Sequence, residues 1–233
     1  MGKNLIIIPA YNESQNIETV IDEINKSMID AAILIVNDGS QDDTSDKAKG
    51  KGVEVIDLPF NIGYGCALQT GFRFAVEYEF DYVITIDGDG QHDPQSINSL
   101  LKALESSKAD IVIGSRFLEC KYKMPIARRI GSLLFGYIAK IYTGIRFTDP
   151  TSGFQLLNRQ VFSYLAQGDN YPLDYPDVNI IMALHKKKFK VIEAPVTMRE
   201  KSNGKSMHSG IKPFFYVIRM LLAILIVMLG KDE

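Results

Sequence analysis

The chain is poor in the residues that staple small domains or cluster around metals. It has two cysteines, Cys66 and Cys120, and three histidines, His92, His185 and His208, in 233 residues. Two thiols so far apart make neither a disulfide framework nor a zinc site, and their scarcity suits a reducing compartment. The histidines are too dispersed for zinc. His92, beside Pro94, is expected to be solvent-exposed. A formal net charge of −2 leaves no general basic field, so nucleic acid is not an expected partner. No repeat or low-complexity segment interrupts the chain. No apolar run leads to a small-residue cleavage site at its start, so a cytoplasmic location is the expectation.

What is present suffices for one core. The apolar fraction is 46%, ordinary for a globular protein, and the length fits a single α/β domain. Short apolar runs of strand type occur at Leu5–Ile8, Ile33–Asn37, Val53–Leu58, Tyr82–Ile86 and Asp110–Gly114. Helical patterns lie between them, at Ser14–Met28, Thr44–Lys49, Gly63–Tyr78 and Gln95–Glu105. Such alternation predicts parallel strands joined by right-handed crossovers. Beyond Gly114 the spacing predicts helices at Arg128–Tyr142 and Tyr175–Lys187, strands at Gly153–Asn158 and Phe189–Thr197, and an apolar segment at Pro213–Leu229.

The most informative stretch is Tyr82 to Pro94, a buried-strand pattern ending in Asp87-Gly88-Asp89-Gly90-Gln91-His92-Asp93. Carboxylates at the C-terminal edge of a parallel strand lie where open α/β sheets bind ligands. Two carboxylates plus substrate phosphates suit Mg²⁺ or Mn²⁺, and Gln91 could add an oxygen. A plain Asp-Gly hairpin turn is the bland alternative, but a helical pattern follows Pro94 instead of a returning strand.

Three other segments fall at strand ends. Ile8-Pro9-Ala10-Tyr11-Asn12-Glu13-Ser14 closes the first strand, with Asn12 and Ser14 read as helix-capping residues. Tyr11 and Glu13 stand where a base could stack and a ribose hydroxyl be bound. Val36-Asn37-Asp38-Gly39-Ser40 closes the second strand, and Asp38 could equally shape a turn. Asn61-Ile62-Gly63-Tyr64-Gly65 opens a helix, a place where glycines admit a phosphate to the backbone. It is a poor dinucleotide fingerprint, because Leu68 occupies the third glycine position.

In this order the four segments resemble the signature of family 2 glycosyltransferases, from the N-terminus to about Thr197. The resemblance implies a GT-A fold with a mostly parallel central sheet flanked by helices. It also implies a nucleotide-sugar donor, a divalent metal and inversion at the anomeric carbon. By the same resemblance Pro9, Ala10, Tyr11, Glu13, Asp38 and Gly63 serve the nucleotide sugar. Asp87 and Asp89 serve its diphosphate and the metal, with Gln91 as a further ligand. Such a metal stabilises the charge of the leaving diphosphate.

The second half narrows the likeness to the polyprenyl-phosphate branch, where dolichyl-phosphate mannose synthases belong. The residues concerned are Gly114-Ser115-Arg116, Arg128 and Arg129 with Ser132, Asp149-Pro150-Thr151-Ser152-Gly153-Phe154, and Arg199 to Ser206. Arg116, Arg128 or Arg129, and Lys205 would steer an acceptor phosphate, with a hydrogen bond from Ser132. Arg and Lys here are read as phosphate ligands. Two features depart from the mannose-synthase pattern: the glycines of the metal motif, and Tyr175-Pro176-Asp177. Asp177 is either a helix-dipole partner or, as in enzymes that glycosylate hydroxyls, a general base. Asp174 is the other carboxylate in that region. A non-catalytic nucleotide-sugar binding module is the competing class.

Residues 1–212 are read as the catalytic domain, with a nucleotide side at 1–115 and an acceptor side at 116–212. Residues 213–233 are read as an apolar C-terminal helix. Arg219 interrupts its apolar run, so the helix is expected to lie in the membrane interface. A buried terminal helix or a dimer seam is the alternative, and a homo-oligomer or a small membrane-protein partner could supply further anchorage.

Overall fold

Strand β1 (Asn4–Ala10) shows why the apolar runs are continuous: both its faces are buried. Leu5 and Ile7 point to one side of the sheet and Ile6 and Ile8 to the other, and each pair joins a different core. A computed structural model describes residues 2–119, 126–172, 176–199 and 212–229. The remaining strands are β2 (Ala32–Asn37), β3 (Glu54–Asp57), β4 (Tyr82–Thr85), β5 (Ile111–Ser115), β6 (Gln155–Asn158) and β7 (Val191–Pro195). They form one seven-stranded sheet in the order β3-β2-β1-β4-β6-β5-β7. Strand β6 is antiparallel to both neighbours, and the other pairings are parallel.

Helices α1 (Ile17–Lys26), α2 (Thr44–Gly50) and α4 (Ile97–Ser107) cover one face. On α1 the buried residues Ile17, Val20, Ile21 and Ile24 have amphipathic-helix spacing. The other face is covered by α3 (Tyr64–Glu77), α5 (Ile126–Thr143), α6 (Arg159–Leu165), α7 (Val178–Lys186) and α8 (Lys212–Leu229). Each fully buried Leu, Ile or Phe in these layers contributes about 1.5–3 kcal/mol of transfer free energy.

On two of these helices the described side chains include both a buried stripe and exposed apolar residues. On α5, Phe135 and Ala139 enter the core, whereas Leu133, Leu134, Tyr137 and Ile141 are exposed. On α8, Met220 and Ile224 enter it, whereas Leu222, Leu225, Ile226 and Leu229 are exposed. Among the described residues, no helix is long and apolar enough to cross a membrane.

The elements expected from the sequence are present with shifted ends. Helix α1 begins three residues late, capped by Asn16 without a side-chain bond. Asn12 and Ser14 therefore cap nothing; they tie the β1 loop to the next one. Asn12 Oδ1 accepts from the Gln41 N–H at 2.8 Å, and the Ser14 carbonyl accepts from Lys47 Nζ at 2.7 Å. Helix α6 has no counterpart in the sequence reading, because its seven residues follow β6 directly and Asn158 caps it through the Val161 N–H.

Candidate active site

Parallel strands in register bring their C-terminal ends to one edge: Ala10 beside Asn37, Asn37 beside Asp57, and Ser115 beside Pro195. Because β6 runs the other way, Gln155 at its start pairs with Thr85 at the end of β4. The 149–154 loop is thereby delivered to the same edge. An open parallel sheet binds its ligands at this edge.

On the β1–β3 side lies a cavity of about 580 Å³, with Tyr11, Asn37, Gly39, Asp57, Phe60 and Asn61 in its wall. Tyr11 and Phe60 are exposed aromatic rings. At its floor the Asp57 carboxylate accepts from Asn37 Nδ2 at 2.7 Å and from Lys49 Nζ at 2.7 Å. Burial works against its charge, but hydrogen bonding from Lys49, Ser45 and Asn37 prevails and holds the Asp57 pKa at about 2.

Asp38 is buried just past β2. Its Oδ1 accepts from the Ile62 N–H at 2.8 Å and its Oδ2 from the Gly63 N–H at 2.9 Å. Gly63 precedes α3 with φ of 121°, a conformation that only glycine adopts at little cost. The anion on these amides is thus a protein carboxylate, and the loop presents a different surface from the phosphate cradle suggested by its glycines. Pro9 and Ala10 end β1 in the core. Glu13 is fixed at its backbone by Thr44 Oγ1, 2.9 Å from its N–H, and its Oε2 accepts from Asn16 Nδ2 at 2.7 Å.

Asp87, Asp89 and Gln91 follow β4 in one loop. Asp87 Oδ1 accepts from the Tyr64 hydroxyl at 3.0 Å, and Asp89 Oδ1 accepts from the Gln91 N–H at 3.1 Å. Desolvation of the phenol, reinforced by the Asp87 charge, holds Tyr64 well above its ordinary pKa and therefore protonated, although the residue as a whole is 39% exposed. The expectation of an exposed His92 is incorrect. His92 is buried, stacked on Phe154, and its Nδ1 accepts from the Asp87 N–H at 3.2 Å. Burial lowers its pKa, which keeps the ring neutral, as the accepting Nδ1 requires. The loop is also stitched to the chain after β7. Gln91 O accepts from the Arg199 N–H at 2.8 Å, and His92 bridges Met198.

The donor chemistry of this loop suits a hard divalent cation. Two carboxylates and one amide oxygen are available, since Gln91 spends its Nε2 on the Arg199 carbonyl at 3.3 Å. Among the described residues no cluster of three His, Cys, Asp or Glu side chains forms a closed metal cage. A site of this type needs ligand oxygens from the substrate.

The cations expected at the acceptor separate in the structure. Arg116 is buried, and its guanidinium grips Asp149 with two nitrogens, Nη2 donating to Oδ1 at 3.0 Å and Nε to Oδ2 at 2.5 Å. Asp149 in turn is placed by Glu193, which accepts from the Asp149 N–H at 2.7 Å and from Thr148 Oγ1 at 2.8 Å. Burial pushes the Glu193 carboxyl above the usual range. Arg199, read from the sequence as one of the phosphate ligands, is instead committed to Glu23 at 2.7 Å and Asp93 at 3.3 Å. Ser132 is buried on α5, and Arg129 is exposed one turn before it. Arg128 stands on α5 but outside the described side chains, and Asp174, Tyr175 and Lys205 lie outside the described residues. Asp177 occupies the N-cap of α7 without a side-chain cap bond, and its charge reaches the Tyr64 and Tyr171 phenols.

Sequence reading gave no role to Tyr64, Glu193 or His92. The signal for Tyr64 was its place between two glycines at a helix start; Glu193 gave none, being one acidic residue in a strand.

The fold and edge geometry agree with what the chain resembles. The pattern of Glycosyl transferase family 2 matches residues 5–165. An undecaprenyl-phosphate mannosyltransferase of Micrococcus luteus is 28% identical, over 88% of this chain and 87% of that protein. A UDP-N-acetylglucosamine–dolichyl-phosphate N-acetylglucosaminyltransferase of Methanococcus voltae is 26% identical, over 92% and 94%. In fold, the chain superposes on glucosyl-3-phosphoglycerate synthase of Mycobacterium tuberculosis, solved with Mn²⁺, UDP and phosphoglyceric acid. The TM-score is 0.73, with 17% identity over 100% of this chain and 80% of that one. A family pattern spanning two-thirds of the sequence, on a GT-A sheet with both carboxylates at its binding edge, identifies the chain as a glycosyltransferase of family 2.

Proposed function

We propose that this protein transfers a sugar, with inversion, from a nucleotide sugar to a polyprenyl phosphate at the cytoplasmic face of a membrane. The observation that supports the reading is a shared sheet edge: β1, β2 and β3 end in parallel at the aromatic-walled cavity, and the Asp87–Gln91 loop follows β4, which is parallel to β1. The nucleoside would occupy that cavity, its base against Tyr11 or Phe60. Its diphosphate would then lie toward Asp87 and Asp89. Mg²⁺ or Mn²⁺ held there by Asp87, Asp89 and Gln91 would neutralise the departing diphosphate. A UDP-sugar is the favoured donor and GDP-mannose the second choice.

A phosphate acceptor is already anionic near neutral pH, so the chain needs no general base for it. What it must supply is placement. Arg128, Arg129, Ser132 and Lys205 are the candidate contacts, and Arg116 contributes through its grip on Asp149. The exposed apolar faces of α5 and α8 would lie in the lipid interface, keeping a long acceptor in the membrane while its phosphate reaches the edge. The lipid-phosphate acceptors named for the matched relatives support the same choice.

A second reading is transfer to a saccharide hydroxyl with Asp177, at the N-cap of α7, as base. One experiment separates the two. Purified protein in detergent with undecaprenyl phosphate is incubated with a panel of labelled nucleotide sugars. Label is expected in an organic-extractable, acid-labile product, and Asp177→Asn is expected to retain substantial activity. Label confined to water-soluble saccharide, together with an inactive Asp177→Asn, would overturn the lipid reading.

A further inference from the structure

Three separate pieces of chain converge on one carboxylate oxygen at the active edge. Asp87 comes from the end of β4, Tyr64 from the first residue of α3, and Gly153 from the loop that precedes β6. The Tyr64 hydroxyl lies 3.0 Å from Asp87 Oδ1. A Cβ added at Gly153 would stand 2.7 Å from the Tyr64 oxygen and 2.9 Å from Asp87 Oδ1, closer than packed atoms allow. A side chain at residue 153 would therefore make the Tyr64 hydroxyl or the Asp87 carboxylate shift from this arrangement. The backbone N–H of Asp87 is held independently by His92 Nδ1. Tyr64 itself follows Gly63, whose N–H is clamped by Asp38. The phenol thus stands on a fixed backbone and reaches a fixed target.

We infer that Tyr64 is a positioning residue for the cation site: its hydroxyl fixes the carboxylate plane of Asp87 before a cation arrives. The inference rests on the assignment of Asp87 as a cation ligand made above. A carboxylate turning freely about its two side-chain bonds would have to be ordered on binding, at an entropic cost. A hydrogen bond to the ligand meets that cost in the folded protein. Loss of such outer contacts typically weakens metal binding or activity by roughly 10–100-fold. Gly153 serves the same end by leaving room for the contact.

The test uses the full chain and reads binding directly. Free Mn²⁺ is titrated by electron paramagnetic resonance in the presence of UDP or GDP, and each nucleotide is titrated alone by calorimetry. Tyr64→Phe is expected to weaken Mn²⁺ binding in the nucleotide complex about 10-fold or more, with metal-free nucleotide affinity and melting temperature unchanged. Gly153→Ala, which crowds the pair without removing the hydroxyl, is expected to act in the same direction. Mn²⁺ affinity in Tyr64→Phe equal to wild type overturns the inference, as does an equal loss of metal-free nucleotide affinity. A wild-type protein that binds no Mn²⁺ with either nucleotide overturns the cation assignment as well.

Discussion

The Asp38 carboxylate accepts the Gly63 N–H at 2.9 Å, so a residue just past β2 sets the backbone that opens α3. With Ile62 bonded to the other oxygen, the acid fixes the backbone that follows Asn61 in the wall of the proposed donor cavity. Asp38→Asn turns an amide NH₂ toward one of two N–H donors. Leaving one buried donor unpaired should cost about 1–3 kcal/mol, measurable by denaturant unfolding. Nucleotide affinity measured by calorimetry should fall with it.

Asp89→Ala addresses the proposed diphosphate end. The side chain is half-buried, and its Oδ1 accepts from the Gln91 N–H. Stability should change by about 1 kcal/mol or less, while turnover falls by orders of magnitude. Chelation of divalent ions should reproduce the loss in wild type, and added Mn²⁺ or Mg²⁺ should restore it. Undiminished transfer in either case would remove the ligand role.

Arg116→Ala should fail differently. It leaves the Asp149 carboxylate buried without its partner, and breaking a buried pair costs about 3–5 kcal/mol. Activity and melting temperature should fall together. Arg116→Lys should recover only part of either, because an ammonium cannot reproduce the two-nitrogen grip. Lost turnover at unchanged stability would instead mean that Arg116 acts on substrate.

Glu193 supplies a pH signature. Burial raises its carboxyl pKa in the folded chain, so the native state holds this proton more tightly than the unfolded chain does. Its contribution is fully present below the ordinary carboxylate range and declines as pH rises through the raised folded value. Glu193→Gln lacks this dependence and carries a constant cost from lost acceptors. The melting-temperature gap between wild type and variant should therefore narrow from pH 4 to pH 7.

Legibility in the sequence followed physical range. Strands β1, β2, β4 and β5 were readable because runs such as Leu5–Ile8 are buried on both faces and broken by turn residues. The place of Asp87 and Asp89 just past β4 was readable because an apolar strand pattern runs directly into them. The direction of β6 was not, since Gln155–Asn158 has the same apolar look in either orientation. Nor was the fate of Arg116 and Arg199, whose partners Asp149 and Glu23 lie 33 and 176 residues away. Composition marks a cation as present; only folding decides whether it meets substrate or another side chain.

The strand order carries a consequence for dissecting this enzyme. Strand β5 belongs by chain position to the half read from the sequence as the nucleotide side, yet among the described strands it pairs with β6 and β7. A fragment ending at Ser115 would hold a four-stranded sheet with β4 as a raw edge and β5 as an orphan apolar segment. Such an edge invites pairing with other chains. Split-protein reporters, half-domain expression and domain grafting should therefore fail at that boundary, because β6, from the second half of the chain, lies between β4 and β5 from the first.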